Sequence, residues 1–253
     1  MFSNRFFLIL LALTLSAGQM FGQKIHPDIS SQTVKAVVDP SVIKGPIKPM
    51  NAVNNGPCVA DYADQMLDFR ILNIPFSRTH DSTIDGYYGY HLVDISEVFP
   101  DFSKNPDKES SYNFEETDLF IKTILDSGAK VMYRLGQSIE THPTKKYNIY
   151  PPKDFKKWAR ICEHVIRNYN EGWAGGFHYG IEYWEIWNEP DLDPDDSTNK
   201  RCWSGTEKEY AELYVIASNH LKSCFPNLKI GGPALAWNED WLERFFENVR
   251  EYN

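Results

Sequence analysis

The stretch "WEIWNEPDLDP", Trp184 to Pro194, holds the residues of this chain best suited to chemistry. Glu189 lies between Asn188 and Pro190 at the end of an apolar run that reads as a buried strand. Proline has no N–H to give to a strand ladder, so the strand should stop at Asn188 or Glu189 and leave both side chains at its mouth. A carboxyl walled there by Trp184 or Trp187 is poorly hydrated, and poor hydration raises its pKa toward the range a general acid needs. Alone, Glu189 would read as a surface residue of an acidic loop. Asn188 changes the reading, because an amide beside a carboxyl supplies the donor and acceptor that a sugar hydroxyl needs.

Two more strand ends carry functional groups: "RTH", Arg78 to His80, and "NAVNNGP", where Asn54 and Asn55 precede a Gly-Pro step and serve either a turn or a ligand. Glu185 lies within its strand and is expected to be buried and paired. Asp191, Asp193, Asp195 and Asp196 lack the glycine and distal glutamate of a calcium loop and read as a solvated segment. The run "YYGY", Tyr87 to Tyr90, stacks on a ligand ring or packs its own loop.

These residues need strands to converge them. From Ile47 onward, short apolar runs alternate with longer amphipathic ones, the pattern of parallel strands joined by crossover helices. Strands are expected at 47–53, 74–80, 129–136, 181–188 and 228–234. Helices are expected at about 62–72, 114–127, 152–169 and 207–224, with a closing one over "EDWLERFFENVREY". The α/β class follows. A doubly wound sheet and a TIM (β/α)8-type barrel both fit, and the missing Gly-x-Gly-x-x-Gly after the first strand favours the barrel. A whole barrel takes roughly 250 residues for eight units, whereas five units consume this chain; the expectation is a barrel truncated to about its first five βα units.

The opening "MFSNRFFLILLALTLSAGQMFGQ" has an early Arg5, an apolar core and small residues before a polar exit, the architecture of a secretory signal. An uncleaved anchor is the other reading, but the apolar run is short for a membrane span. Residues 1–23 are therefore assigned to a signal peptide, 24–45 to an extended leader and 46–253 to the partial barrel. The mature chain is expected to be secreted or periplasmic, with no membrane contact after cleavage. A net charge of -9 argues against a nucleic-acid partner, which needs basic clusters to displace counterions. Cys58, Cys162, Cys202 and Cys224 are too sparse for a disulfide framework and allow one bridge or none. The histidines show no zinc spacing, so neither metal nor cofactor is expected.

"WEIWNEPDL" together with "YAELYVIASNHLKSCFPNLKIGGPALA", "FSRTH" and "AKVMYRLG" resembles glycoside hydrolase family 39, the retaining barrel glycosidases that include beta-xylosidases and alpha-L-iduronidases. The resemblance covers essentially everything after residue 45. It implies an oligosaccharide or glycoside substrate, Glu189 as general acid/base, Asn188 as the partner of the sugar 2-hydroxyl, and His80 as a substrate contact. Arg78 is a further candidate contact, and with Arg134 it is an available cation should the sugar be a uronate. Retaining hydrolysis also needs a nucleophilic carboxylate about 5 Å from the acid. The family places it near the seventh strand, so the nucleophile is left unassigned here. A non-catalytic carbohydrate-binding half-barrel, an inactive fragment of a truncated or split gene, and a homodimer or complementary barrel half that closes the barrel remain as alternatives.

Overall fold

A computed structural model of the protein describes residues 35, 39, 41, 42, 45, 46, 48–57, 62–81 and 92–252. The assigned signal peptide, Cys58 and the Tyr87 to Tyr90 run lie outside them. The chain divides into a unit up to Ile47 and a second from Lys48 to Asn253. In the first, the described residues include a turn in which the Asp39 side chain accepts from the Ser41 N–H at 3.0 Å.

Among the described residues the second unit contains five strands: β1 (Val53–Asn54), β2 (Phe76–Arg78), β3 (Lys130–Leu135), β4 (Tyr183–Ile186) and β5 (Lys229–Gly231). All pair in parallel, in the spatial order β1-β2-β3-β4-β5. Between and after them run α1 (Tyr62–Ile71), α2 (Ile95–Val98), α3 (Glu115–Asp126), α4 (Phe155–Glu171), α5 (Glu207–Cys224) and α6 (Glu239–Tyr252). A doubly wound sheet would reverse its strand order at a switch point. Strictly sequential parallel strands joined by crossover helices are instead five units of a (β/α)8-type barrel.

Local chemistry sets the helix ends. At α5 the Thr206 side chain accepts from the Glu209 N–H while Glu209 reaches back to the Thr206 N–H, a reciprocal capping box. α4 starts three residues later than its apolar pattern suggests, because Asp154 caps it by accepting from the Lys157 N–H at 2.9 Å. Gly172, at φ +74°, ends it in the left-handed conformation. α2, inside the long connection after β2, has too few residues to show a period; it is held by burial of Ile95 and Val98.

Strand ends also depart from the sequence reading. β4 stops at Ile186, before Pro190 can act, because Trp187 and Glu189 have left the extended region at φ +68° and +42°. β5 stops at Gly231, where Gly232 at φ +139° and then Pro233 end the ladder.

Alternation along the strands separates two chemistries. Val131, Tyr133, Leu135, Trp184 and Ile186 share one face and are buried in a core with Ile121, Ile124, Ile161, Val165, Leu213 and Leu221 from α3, α4 and α5. Arg78, Met132, Arg134 and Glu185 occupy the opposite face, in register with Asn54 of β1 and Tyr183 of β4. Arg134 has no solvent exposure and is paired with Asp94 at 2.9 Å. β1 and β5 are the edges of this sheet, each bonded to one neighbour.

Candidate active site

The carboxyl ends of β1, β2, β4 and β5 surround an open cavity of about 360 Å³, whose polar wall is Asn54, Arg78, His80, Glu185, Asn188 and Glu189. All four residues singled out in the sequence are therefore brought together. Leu235, from the segment after β5, adds an apolar side.

Arg78 is the hub. Its Nε donates to Glu185 Oε2 at 2.7 Å, one terminal nitrogen to Asn54 Oδ1 at 2.9 Å and the other to Asn188 Oδ1 at 2.9 Å. The planar fork suits three acceptors, one from β1 and two from β4 and the turn after it, which an ammonium could not reach at once. Glu185 is thus buried and paired, as its place in the strand predicts. With its carbonyl oxygen held by Arg78, Asn188 has its amide orientation fixed and its NH2 on the far side. Asn54 serves the site and Asn55 serves the turn: Asn55 has φ +75° and accepts from the Gly56 N–H.

His80 lies against Asp81, Nδ1 to Oδ1 at 3.2 Å, and hydrogen-bonds Asn188. Burial, opposed by Asp81 and reinforced by Arg134 and Arg78, lowers its pKa from 6.5 to about 4. The imidazole is therefore neutral near pH 7 and can both donate and accept a hydrogen bond. Arg134 is withdrawn from the ligand. Its guanidinium is buried on Asp94, Ser138 and the His80 carbonyl, so the expectation of a free cation there is corrected.

Glu189 is half-buried, and its pKa is raised, first by desolvation and then by the charge of Asp191. The expected tryptophan wall takes a different form. Trp184 stacks on Tyr133 in the core, with ring centroids 5.0 Å apart. The Trp187 indole donates to the Cys202 carbonyl at 2.8 Å, and the Cys202 thiol stands beside the Glu189 carboxyl. The left-handed turn at Glu189 is held by its N–H, which donates to Ala234 O at 3.0 Å.

The reading of the aspartates as a solvated loop holds for the exposed Asp196; Asp195, also exposed, accepts from the Glu207 N–H at 3.2 Å and pairs with Lys200, and Asp191 and Asp193 are engaged more fully. Asp191 is 2% exposed and accepts from the N–H groups of Ala236, Trp237 and Asn238 at 2.8, 3.0 and 2.9 Å. It ties the loop after β4 to the loop after β5 just ahead of α6, where the helix dipole also favours an anion. The Asp193 carboxylate accepts from the Arg201 guanidinium and from the Arg201 backbone N–H. The Asp191 partners are backbone groups 45 to 47 residues away, which residue types cannot announce.

Away from this cavity, Glu163, His220 and Cys224 bring one potential metal ligand each to within 4.8 Å of one another. The Glu163 oxygens already accept from Arg160, Arg167 and His220. Two guanidiniums oppose a dication there, so the cluster acts as a charge network between α4 and α5. Cys162, Cys202 and Cys224 are free thiols.

A parallel barrel wall with a carboxyl of raised pKa at one strand end and an amide beside it is the class of strand-end site in which barrel folds gather reactive groups. The family described as glycosyl hydrolases family 39 matches residues 34–253. A beta-xylosidase of Geobacillus stearothermophilus is 35% identical over 174 residues, 63% of this chain and 32% of that protein. A beta-xylosidase of Caldicellulosiruptor saccharolyticus is 30% identical over 161 residues, 59% of this chain and 30% of that protein. Among solved structures, a glucosidase from Croceicoccus marinus superposes with a TM-score of 0.64 at 25% identity, covering 80% of this chain and 41% of that one. The chain belongs to glycosyl hydrolases family 39. Its matches span about a third of the length of these xylosidases.

Proposed function

We propose that this chain carries the acid/base half of a retaining glycoside hydrolase, with Glu189 protonating the glycosidic oxygen in the first step and activating water in the second. The observation that carries this reading is the Glu189 carboxyl itself, half-buried at a strand end with its pKa raised by burial, in a cavity shared with Asn188 and His80. A group that must hold a proton in one step and release it in the next needs a pKa above that of an ordinary glutamate. The neutral His80 offers hydrogen bonds to sugar hydroxyls without adding charge, and Asn188, buried with its oxygen on Arg78, has only its second amide N–H left for a hydroxyl.

The substrate class we infer is a neutral glycoside. Arg78 and Arg134 are engaged by Glu185, Asn54, Asn188 and Asp94, which disfavours a uronate carboxylate as their partner. Two relatives are named beta-xylosidases, so an aryl β-xyloside is the first substrate to try. The nucleophile we place on barrel units other than these five, because Glu185 is committed to Arg78 and Asp81 to His80 and the Ile139 N–H. The free edges of β1 and β5, and the exposed Leu67, Ile71 and Leu72 on and after α1, are where such units would pack.

The test is hydrolysis of an aryl β-xyloside by the chain joined to, or mixed with, the complementing barrel units. Glu189→Ala should slow turnover, and azide should restore it by replacing the water that Glu189 no longer activates. Sugar binding that survives Glu189→Gln, with no turnover by the completed barrel, would instead establish a binding module. We also propose export through residues 1–23; the amino terminus of protein recovered outside the cytoplasm should lie just beyond them.

A further inference from the structure

Cys202 belongs to no element that the sequence pattern assigns to the site, yet its sulfur touches both residues of the Asn-Glu pair. Its Sγ lies 3.9 Å from Glu189 Oε2 and 3.9 Å from Asn188 Nδ2. The thiol can accept from the amide and donate to the carboxylate, completing a chain from Arg78 through Asn188 and Cys202 to Glu189. Among the described residues it is the hydrogen-bond donor that reaches the Glu189 carboxyl.

The thiol is held from every side. Cys202 is 1% exposed, and its carbonyl accepts from the Trp187 indole. Arg201 before it gives its carbonyl to the Glu140 N–H at 2.8 Å and its guanidinium to Asp193. Ser204 after it donates its N–H to Ile149 O at 2.9 Å. Burial and the adjacent Glu189 push the thiol pKa far up, so it is S–H near neutral pH.

We propose that Cys202 is a positioning residue for Glu189: its buried thiol orients one carboxyl oxygen while, as a weak and long donor, it leaves that carboxyl able to take up and release a proton. A hydroxyl in the same place would shorten the contact and favour the carboxylate, since hydrogen bonds to the charged form lower a carboxyl pKa. An apolar side chain would withdraw the donor and keep the wall dry, favouring the acid. The chemical type at position 202 thus tunes the proton affinity of Glu189. The other groups acting on that carboxyl are Asp191, Arg78 and Asp81, with Arg201 and His80 close by; none changes in a substitution at 202.

The structural claim stands without turnover, although its catalytic meaning rests on the acid/base reading of Glu189. The test is a carbon-13 NMR titration of the Glu189 carboxyl in the full chain, assigned with Glu189→Gln, for the wild type, Cys202→Ser and Cys202→Val. Near-ultraviolet circular dichroism checks that the Trp187 and Trp203 environments persist. Serine should lower the midpoint and valine should raise it, each by about threefold to tenfold in proton affinity. Coincident midpoints in folded variants would overturn the proposal, and so would a shift of the same sign in both. If the midpoints move as stated but the completed barrel turns over no glycoside, the positioning role stands and the hydrolase reading falls. If it does turn over substrate, Cys202→Ser should move the alkaline limb of its pH profile to lower pH, because the acid form is lost earlier.

Discussion

Asp191→Ala is the sharpest perturbation of the site's framework. The carboxylate is buried and accepts three backbone N–H groups from the segment that leads into α6. A hydrogen bond to a charged group contributes about 1.5 kcal/mol or more, so three left wholly unmet would cost about 4.5 kcal/mol. Truncation opens room for water beside a half-buried loop, and bridging water recovers part of that loss. The expected destabilisation is about 2–3 kcal/mol, a substantial share of the ~5–15 kcal/mol of a typical domain. Asp191→Asn should fare little better, because its NH2 faces N–H groups that need an acceptor. Urea unfolding followed by tryptophan fluorescence, with equal slopes for the variants, measures the difference. The same substitution should lower the Glu189 titration midpoint, since the Asp191 charge is the second contribution raising it. A loss below about 0.5 kcal/mol with an unmoved Glu189 midpoint would refute the view that Asp191 clamps and polarises this corner.

Four other substitutions test supports of the site and of the fold. Arg78→Lys keeps the charge but cannot serve Glu185, Asn54 and Asn188 together, and should cost about 2 kcal/mol by the same urea assay. Gly136→Ala places a Cβ 2.8 Å from the Trp187 backbone at φ +152°, so a loss of about 2–4 kcal/mol and displacement of the Asn188–Glu189 turn are expected, the latter visible as shifted amide resonances. His80 has a folded pKa of about 4 against an ordinary 6.5. As pH falls, the unfolded chain binds that proton first, so this part of the stability is whole above pH 6.5 and is lost between 6.5 and 4. His80→Gln should flatten the stability curve in that window. Glu163, held near 2 against burial by its Arg167, His220 and Arg160 partners, governs the lower window, from 4.5 to about 2, where Glu163→Gln should act instead.

The sequence by itself determined the alternation of five strands with the five longer helices, the parallel barrel class and the strand-end position of Asn188, Glu189 and His80, but not α2 or the short extent of β1. Those properties are local: apolar period, capping residues such as Thr206 and Glu209, and breakers such as Gly172 leave their mark within a few positions. It also implied the pairing of Glu185, since a carboxylate inside a strand must find a partner, but not that the partner is Arg78 from a strand 107 residues away. Tertiary structure decided the rest. Asp191 and Asp196 look alike in the chain, yet one is a buried clamp and the other is exposed, because only one meets the N–H groups leading into α6. Arg134, charged and near a strand end, reads as a ligand contact until Asp94 is folded against it. Cys202 carries no motif at all. Its relation to Glu189 exists because the loop before α5 folds back under the end of β4, bringing into contact groups that composition and spacing cannot pair.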